Sequence, residues 1–123
     1  HIFTNGDTPH ANRTTDRLGI SEHFHAVFDI VAAGLEPKPA AATYRKFLLD
    51  HEVEPKRAAM FEDMPRNLDV PRKLGMRTVL VVPAKDSYIE AEAWEHEEDG
   101  SPIDFRTDHL DTFLADVLEA LEG

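Results

Sequence analysis

At 123 residues the chain has room for one domain that buries roughly two-thirds of its unfolded surface, and 41% hydrophobic with 30% charged residues is the composition of an ordinary globular protein. A net charge of −11 argues against a nucleic-acid surface, which needs clustered lysine and arginine, and no apolar run approaches a membrane span or a signal peptide. Without a cysteine there is no disulfide or thiolate chemistry, which fits a reducing cytoplasm.

Ile2, Phe3 and Thr4 form a short β-prone run that stops at the turn signal Asn5-Gly6. Thr8 is the expected N-cap of a first helix, with Pro9 at the first helical position and Gly19 as its C-terminal stop. Phe24 to Val31 reads as a second strand closed by Ala33-Gly34. After Glu36-Pro37-Lys38-Pro39, a second helix is expected from about Ala40 to His51, with Tyr44, Phe47 and Leu48 on one face and Leu49 bordering it.

Glu54-Pro55 breaks that helix. Ala58 to Glu62 then reads as a third strand, and its continuous apolar run predicts burial on both faces. A helix is expected from about Asn67 to Leu74, with Pro71 tolerated near its first turn. Arg77 to Val82 is the fourth strand, nearly all β-branched.

Residues 86–101 are polar and acidic, with Glu90, Glu92, Glu95, Glu97, Glu98 and Asp99 around Trp94 and His96; the simplest reading is a solvated loop or helix face. Some helix or a short strand is expected near Ile103 to Arg106. In the last helix Leu110, Phe113, Leu114, Val117, Leu118 and Leu121 make one apolar stripe. Its full burial against the sheet would contribute on the order of 9–18 kcal/mol. Strand and helix alternate throughout, so the fold class is α/β with a Rossmann-like parallel sheet, and residues 1–123 form a single domain.

Three chemically distinct groups fall near the carboxyl ends of successive strand regions, where open α/β sheets bind ligands. Thr4, Asn5 and Gly6 offer a hydroxyl and backbone amides before a helix N-terminus, a setting suited to an anionic oxygen. Lys38 is held between two prolines. Glu62 and Asp63 are adjacent carboxylates that repel each other unless a cation, a proton or solvent intervenes, and such oxygens suit Mg²⁺. Each group also has a plain reading: a common turn, a solvated lysine, a helix-capping Asp63 beside a solvated Glu62. Taken together they describe a site for phosphate plus Mg²⁺, and Thr4, Lys38 and Asp63 are expected to converge on one pocket.

In this order and spacing the groups resemble the haloacid dehalogenase superfamily of phosphohydrolases. Phe3-Thr4-Asn5-Gly6 is similar to its second motif, Pro37-Lys38-Pro39 to its third, and Phe61-Glu62-Asp63 with Asn67-Leu68 to its fourth. Leu18-Gly-Ile20, Phe28-Asp-Ile-Val-Ala-Ala-Gly34, Leu74-Gly-Met-Arg-Thr-Val-Leu-Val81 and His10 resemble the branch containing pyrimidine 5′-nucleotidases. The resemblance is close over about residues 1–83 and looser in the final helix.

It implies that Thr4 and the Asn5 amide hold the transferring phosphoryl group, that Gly6 belongs to the same phosphate loop, and that Lys38 neutralises phosphoryl charge and steadies a nucleophilic aspartate. It further implies that Asp63 binds Mg²⁺ directly, that Glu62 does so directly or through water, and that Asn67 braces the acidic loop. Met64 departs from the small residue usual at its position. The substrate implied is a nucleoside monophosphate, with another phosphate monoester such as a sugar phosphate, or a non-catalytic remnant of the fold, as alternatives.

The superfamily's first motif, Asp-x-Asp-x-Thr, does not occur in these residues, and neither does the cap domain that selects substrate. The chain is therefore expected to be the C-terminal part of a phosphatase core, inactive alone, with its nucleophile on an upstream segment. In the family that strand lies between the strand ending at Thr4 and the strand ending at Glu62. Its lack predicts open backbone edges, to be met by a retained upstream fragment, a second copy, or direct pairing of the remaining strands. His23 and His25, at strand spacing, lack convergent partners in the sequence and read as ordinary polar residues.

Overall fold

A computed structural model describes residues 1–83 and 103–122, which form two compact units, His1–Val53 and Glu54–Gly123. The expected acidic segment 86–101, with Trp94 and His96, lies outside the described residues. Both units are α/β, with parallel strand pairs and accompanying helices, as in part of a Rossmann-like core.

In the first unit β1 (Ile2–Phe3) pairs in parallel with β2 (Val27–Phe28), Ile2 opposite Val27 and Phe3 opposite Phe28. The crossover between them carries α1 (Thr8–Leu18), which ends at Gly19 in the left-handed conformation, φ 72°. There the Gly19 N–H donates to Asp16 O and the Ile20 N–H to Thr15 O, satisfying carbonyls that the helix end would otherwise leave open. Asp7, not Thr8, is the N-cap: its carboxylate accepts the His10 N–H at 2.8 Å. Thr8 turns elsewhere, donating its hydroxyl to Asp29 Oδ2 at 2.7 Å.

That contact also corrects the second strand, which covers only Val27–Phe28 rather than Phe24 to Val31. A 3-10 turn occupies Ser21–His23 before it. After it the Asp29 carboxylate accepts the Thr8 N–H and hydroxyl and the Ala32 N–H, curling the chain into a turn through Leu35. Local carboxylate–amide bonding outcompetes strand propensity here.

Helix α2 (Ala41–Asp50) supplies the other half of this core. Phe28, Ala33 and Phe47 are buried together, with Phe3, Leu48 and Val53 packed around them. The rings of Phe3 and Phe28 meet edge-on at 5.0 Å, and those of Phe3 and Tyr44 lie 5.3 Å apart. Tyr44 is buried as expected, whereas Leu49 falls outside the apolar face and is exposed.

In the second unit β3 (Ala59–Glu62), β4 (Arg77–Val81) and β5 (Phe105–Thr107) form a parallel sheet in the order β3-β4-β5. The strand buried on both faces is β4, where Thr78, Val79 and Leu80 are all closed to solvent. β3 alternates instead, with Ala59 and Phe61 exposed and Met60 and Glu62 buried. Its apolar run predicted two-sided burial, but β3 has a single partner strand among the described residues, and the central position goes to β4. β1 likewise has one partner strand among the described residues.

The helix expected from Asn67 to Leu74 is divided. A 3-10 turn spans Pro65–Leu68, and α3 spans only Asp69–Lys73, with Pro71 in its first turn. β5 stands close to the short strand expected near Ile103.

Helix α4 (Leu110–Glu122) forms as its periodicity predicts, but its stripe is not buried. Phe113 alone reaches the aromatic rings of β3 and β5, at 5.9 Å from Phe61 and 5.8 Å from Phe105. Leu110, Leu114, Val117, Leu118 and Leu121 stay exposed, so the 9–18 kcal/mol expected of full burial is not realised within the described residues. A stripe specifies which side of a helix seeks cover; it does not supply the covering surface.

Candidate functional site

The loop after β1 is fixed by bonds that reach far along the chain. The Thr4 N–H donates to Phe28 O at 3.0 Å, ending the β1–β2 ladder, and Thr4 Oγ1 accepts the Gly6 N–H at 3.0 Å. A hydroxyl that accepts in this way keeps its own proton to donate. Gly6 O accepts the Ile30 N–H, binding the loop to the turn after β2. A Cβ at Gly6 would stand 3.3 Å from His10 Cδ2 and 3.4 Å from Thr4 Oγ1, so this position is tight for any side chain.

Lys38 joins the same loop through both its backbone and its side chain. The Asn5 amide brackets the Lys38 peptide, Oδ1 accepting the Lys38 N–H at 2.8 Å and Nδ2 donating to Lys38 O at 3.4 Å. Lys38 Nζ donates to Phe3 O at 3.0 Å and lies 5.2 Å from the centre of the Phe3 ring. The bond from Lys38 to Pro39 is cis. Thr4, Asn5, Gly6 and Lys38 are thus brought together at the carboxyl end of β1.

The residue that the sequence did not single out is Asp29. It is buried, and bonds from the Ala32 amide and the Thr8 hydroxyl hold its carboxyl below the usual carboxylate range. It ties the start of α1 to the turn after β2 and thereby sets the frame around Gly6. In sequence it lay inside the expected second strand, Phe24 to Val31. Only the partnership with Thr8, twenty-one residues away, distinguishes it.

In the second unit Glu62 closes β3 and Asp63 follows it directly. Glu62 is buried and folds back on its own loop, Oε1 accepting the Asp63 N–H at 3.1 Å and the Met64 N–H at 3.3 Å. Asp63 is exposed. Asn67 is buried in the 3-10 turn beneath the loop. Met64 does not disrupt this arrangement, since its own amide takes part.

Two carboxylates fit Mg²⁺ in chemical type, because that ion commonly takes one or two carboxylates and completes its shell with water and phosphate oxygens. Glu62 contributes an oxygen held in place by the backbone, and Asp63 one open to solvent. Among the described residues no group of three or more His, Cys, Asp or Glu is placed to hold a metal, so the pair is at most part of a ligand set. No helix among the described residues is long and apolar enough to cross a membrane.

The family model for haloacid dehalogenase-like hydrolases matches residues 1–75, well over half of the chain and all of the loops just described. No curated protein matches it.

Proposed function

Because the chain belongs to the haloacid dehalogenase-like hydrolases, we propose that it is the C-terminal part of a Mg²⁺-dependent phosphomonoesterase, with a nucleoside monophosphate, specifically a pyrimidine 5′-nucleotide, as substrate. The observation that carries this reading is the clamp of Asn5 on Lys38, which keeps an ammonium and the Thr4 hydroxyl at one strand end. A phosphoryl group needs such a pairing of positive charge and hydrogen-bond donors.

On this reading Thr4 Oγ1 donates to a phosphoryl oxygen while the Gly6 N–H fixes its orientation. The Asn5 backbone amide helps to hold the same phosphoryl group, and Gly6 belongs to the same phosphate loop. Lys38 neutralises charge on the phosphoryl group. Asp63 holds Mg²⁺ directly, Glu62 directly or through a water, and Asn67 braces their loop. Hydrolases of this family generally use Mg²⁺, which when bound supplies charge neutralisation to the reacting oxygens. The attacking aspartate, which forms a phospho-aspartate, comes from an upstream segment outside these 123 residues. A cytoplasmic location belongs to the same reading.

The test is hydrolysis of a nucleoside monophosphate with Mg²⁺, by the purified 123-residue chain and by the protein with its upstream segment joined. The chain alone is expected to be inactive and the joined protein active. Asp63→Ala should abolish that activity, whereas Asn67→Ala should reduce it less. Turnover by the verified chain alone would overturn the mechanism. Activity in the joined protein that favours a sugar phosphate would replace the substrate, and its survival in Asp63→Ala would reassign the carboxylate.

A further inference from the structure

The second unit carries a pocket of about 420 Å³ lined by Lys56, Arg72, Gly75, Met76, Arg77 and Asp104. Lys56 lies in the 3-10 turn before β3, Arg77 opens β4, and Asp104 immediately precedes β5. The pocket therefore sits at the amino ends of all three parallel strands. Glu62 and Asp63 stand at the other end of β3, so this is a separate place in the unit.

Three cations against one carboxylate make the pocket locally positive in a chain whose net charge is −11. Asp104 is already engaged. It accepts the Thr78 N–H at 2.9 Å and the Thr78 hydroxyl at 3.2 Å, and Arg72 Nη1 stands 2.6 Å away. Arg77 Nη1 is 3.9 Å from the same carboxylate, with its side chain 72% exposed. Lys56 makes no hydrogen bond or ion pair among the described residues.

The arrangement has one fixed guanidinium and two adaptable cations. Arg72 is oriented by Asp104 and retains further N–H donors, since a guanidinium carries five. The Lys56 stem passes over Gly75, whose φ of +100° favours glycine and whose missing Cβ would stand 3.6 Å from Lys56 Cγ. Three like charges around one concavity repel each other and attract a counter-ion of high charge density. The volume falls within the range of about 300–1,000 Å³ typical of small-molecule sites.

We propose that this amino-edge pocket binds a small molecule through a phosphate-type oxyanion, held by Lys56, Arg72 and Arg77. The proposal does not depend on the catalytic reading above, because it uses none of the residues assigned there. Arginine forks and lysine ammonium groups are the usual partners of phosphate oxygens. Asp104 then serves as a positioning residue for Arg72.

The probe is inorganic pyrophosphate, titrated without divalent metal into the protein at constant ionic strength and followed by amide NMR. Saturable shifts are expected at Gly75, Met76 and Arg77, and sodium chloride at matched ionic strength should not reproduce them. The double variant Lys56→Ala/Arg77→Ala should weaken the binding read at Gly75, Met76 and position 77 by about tenfold for each cation removed, while Lys38→Ala leaves the shifts at those three residues unchanged. Lys56 and Arg77 are exposed, so the fold should persist, which circular dichroism checks. Shifts that do not saturate, that chloride reproduces, or that survive the double variant would overturn the proposal. So would binding lost in Lys38→Ala, since that locates the anion in the first unit.

Discussion

The two units fix their strand-end loops by opposite means. The loop after β1 is held from a distance, by Asp29 on Thr8 and by Lys38 on Asn5, thirty-three residues away. The loop after β3 is held locally, by Glu62 on the amides one and two residues beyond it. The second unit does have a long-range carboxylate anchor in Asp104, but it works at the amino ends of the strands. A loop pinned from far away depends on the whole unit being folded, whereas one pinned by its neighbours keeps its shape more cheaply and leaves Asp63 exposed.

The apolar face of α4 is less covered than the core of the first unit, and truncation separates the two most strongly. Phe28 is 1% exposed inside the aromatic cluster, so Phe28→Ala should cost about 3–5 kcal/mol. Leu118 on α4 is 56% exposed, and Leu118→Ala should stay within about 0.5 kcal/mol. Denaturant unfolding of the two variants measures both. A large loss at Leu118 would mean that the α4 stripe is covered.

Acid acts on both anchors. Asp104 has its carboxyl lowered by the Thr78 backbone bond and by Arg72, against a partial opposing effect of burial; Asp29 is lowered chiefly by the Ala32 amide. A carboxyl whose folded pKa is depressed contributes stability above its unfolded pKa, about 3.9 for aspartate, and loses it as pH falls through the folded value. Stability should therefore decline below about pH 4. Asp29→Asn and Asp104→Asn should each flatten that decline, as read from unfolding midpoints against pH.

A smaller loss than at Phe28 is expected at the start of α1. Asp7→Ala removes the cap on the His10 N–H and should cost about 1 kcal/mol, enough to show in a thermal melt. Thr8 was the expected cap, and an unchanged midpoint for Asp7→Ala would restore it.

Much of the candidate site was legible because its residues lie in short runs with distinctive chemistry. Thr4-Asn5-Gly6 reads as a donor-rich turn from the hydroxyl and the glycine alone, and Glu62-Asp63 as a charge pair from adjacency. Lys38 between two prolines invited notice, but its bond to Phe3 O joins residues thirty-five apart, and no local pattern encodes that. Asp29 escaped for the same reason. The basic pocket at the amino edge escaped too, because Lys56, Arg72, Arg77 and Asp104 are dispersed over nearly fifty positions.

The sequence by itself determined the α/β class, the positions of the long helices, the Gly19 stop and the family, since these rest on periodicity, turn chemistry and contiguous motifs. Tertiary structure decided which strand became central, how short β2 would be, and whether the α4 stripe found cover. β3 and β4 have similarly apolar sequences, and only the packing of the folded unit, in which β4 is the central strand of the three, decides which of them is closed to solvent. Strand length at Phe28 was set by the Asp29 carboxylate finding the local Ala32 amide together with the amide and hydroxyl of Thr8 on another element. Burial and hydrogen-bond partnership are properties of pairs, and a sequence states only one member of each pair at a time.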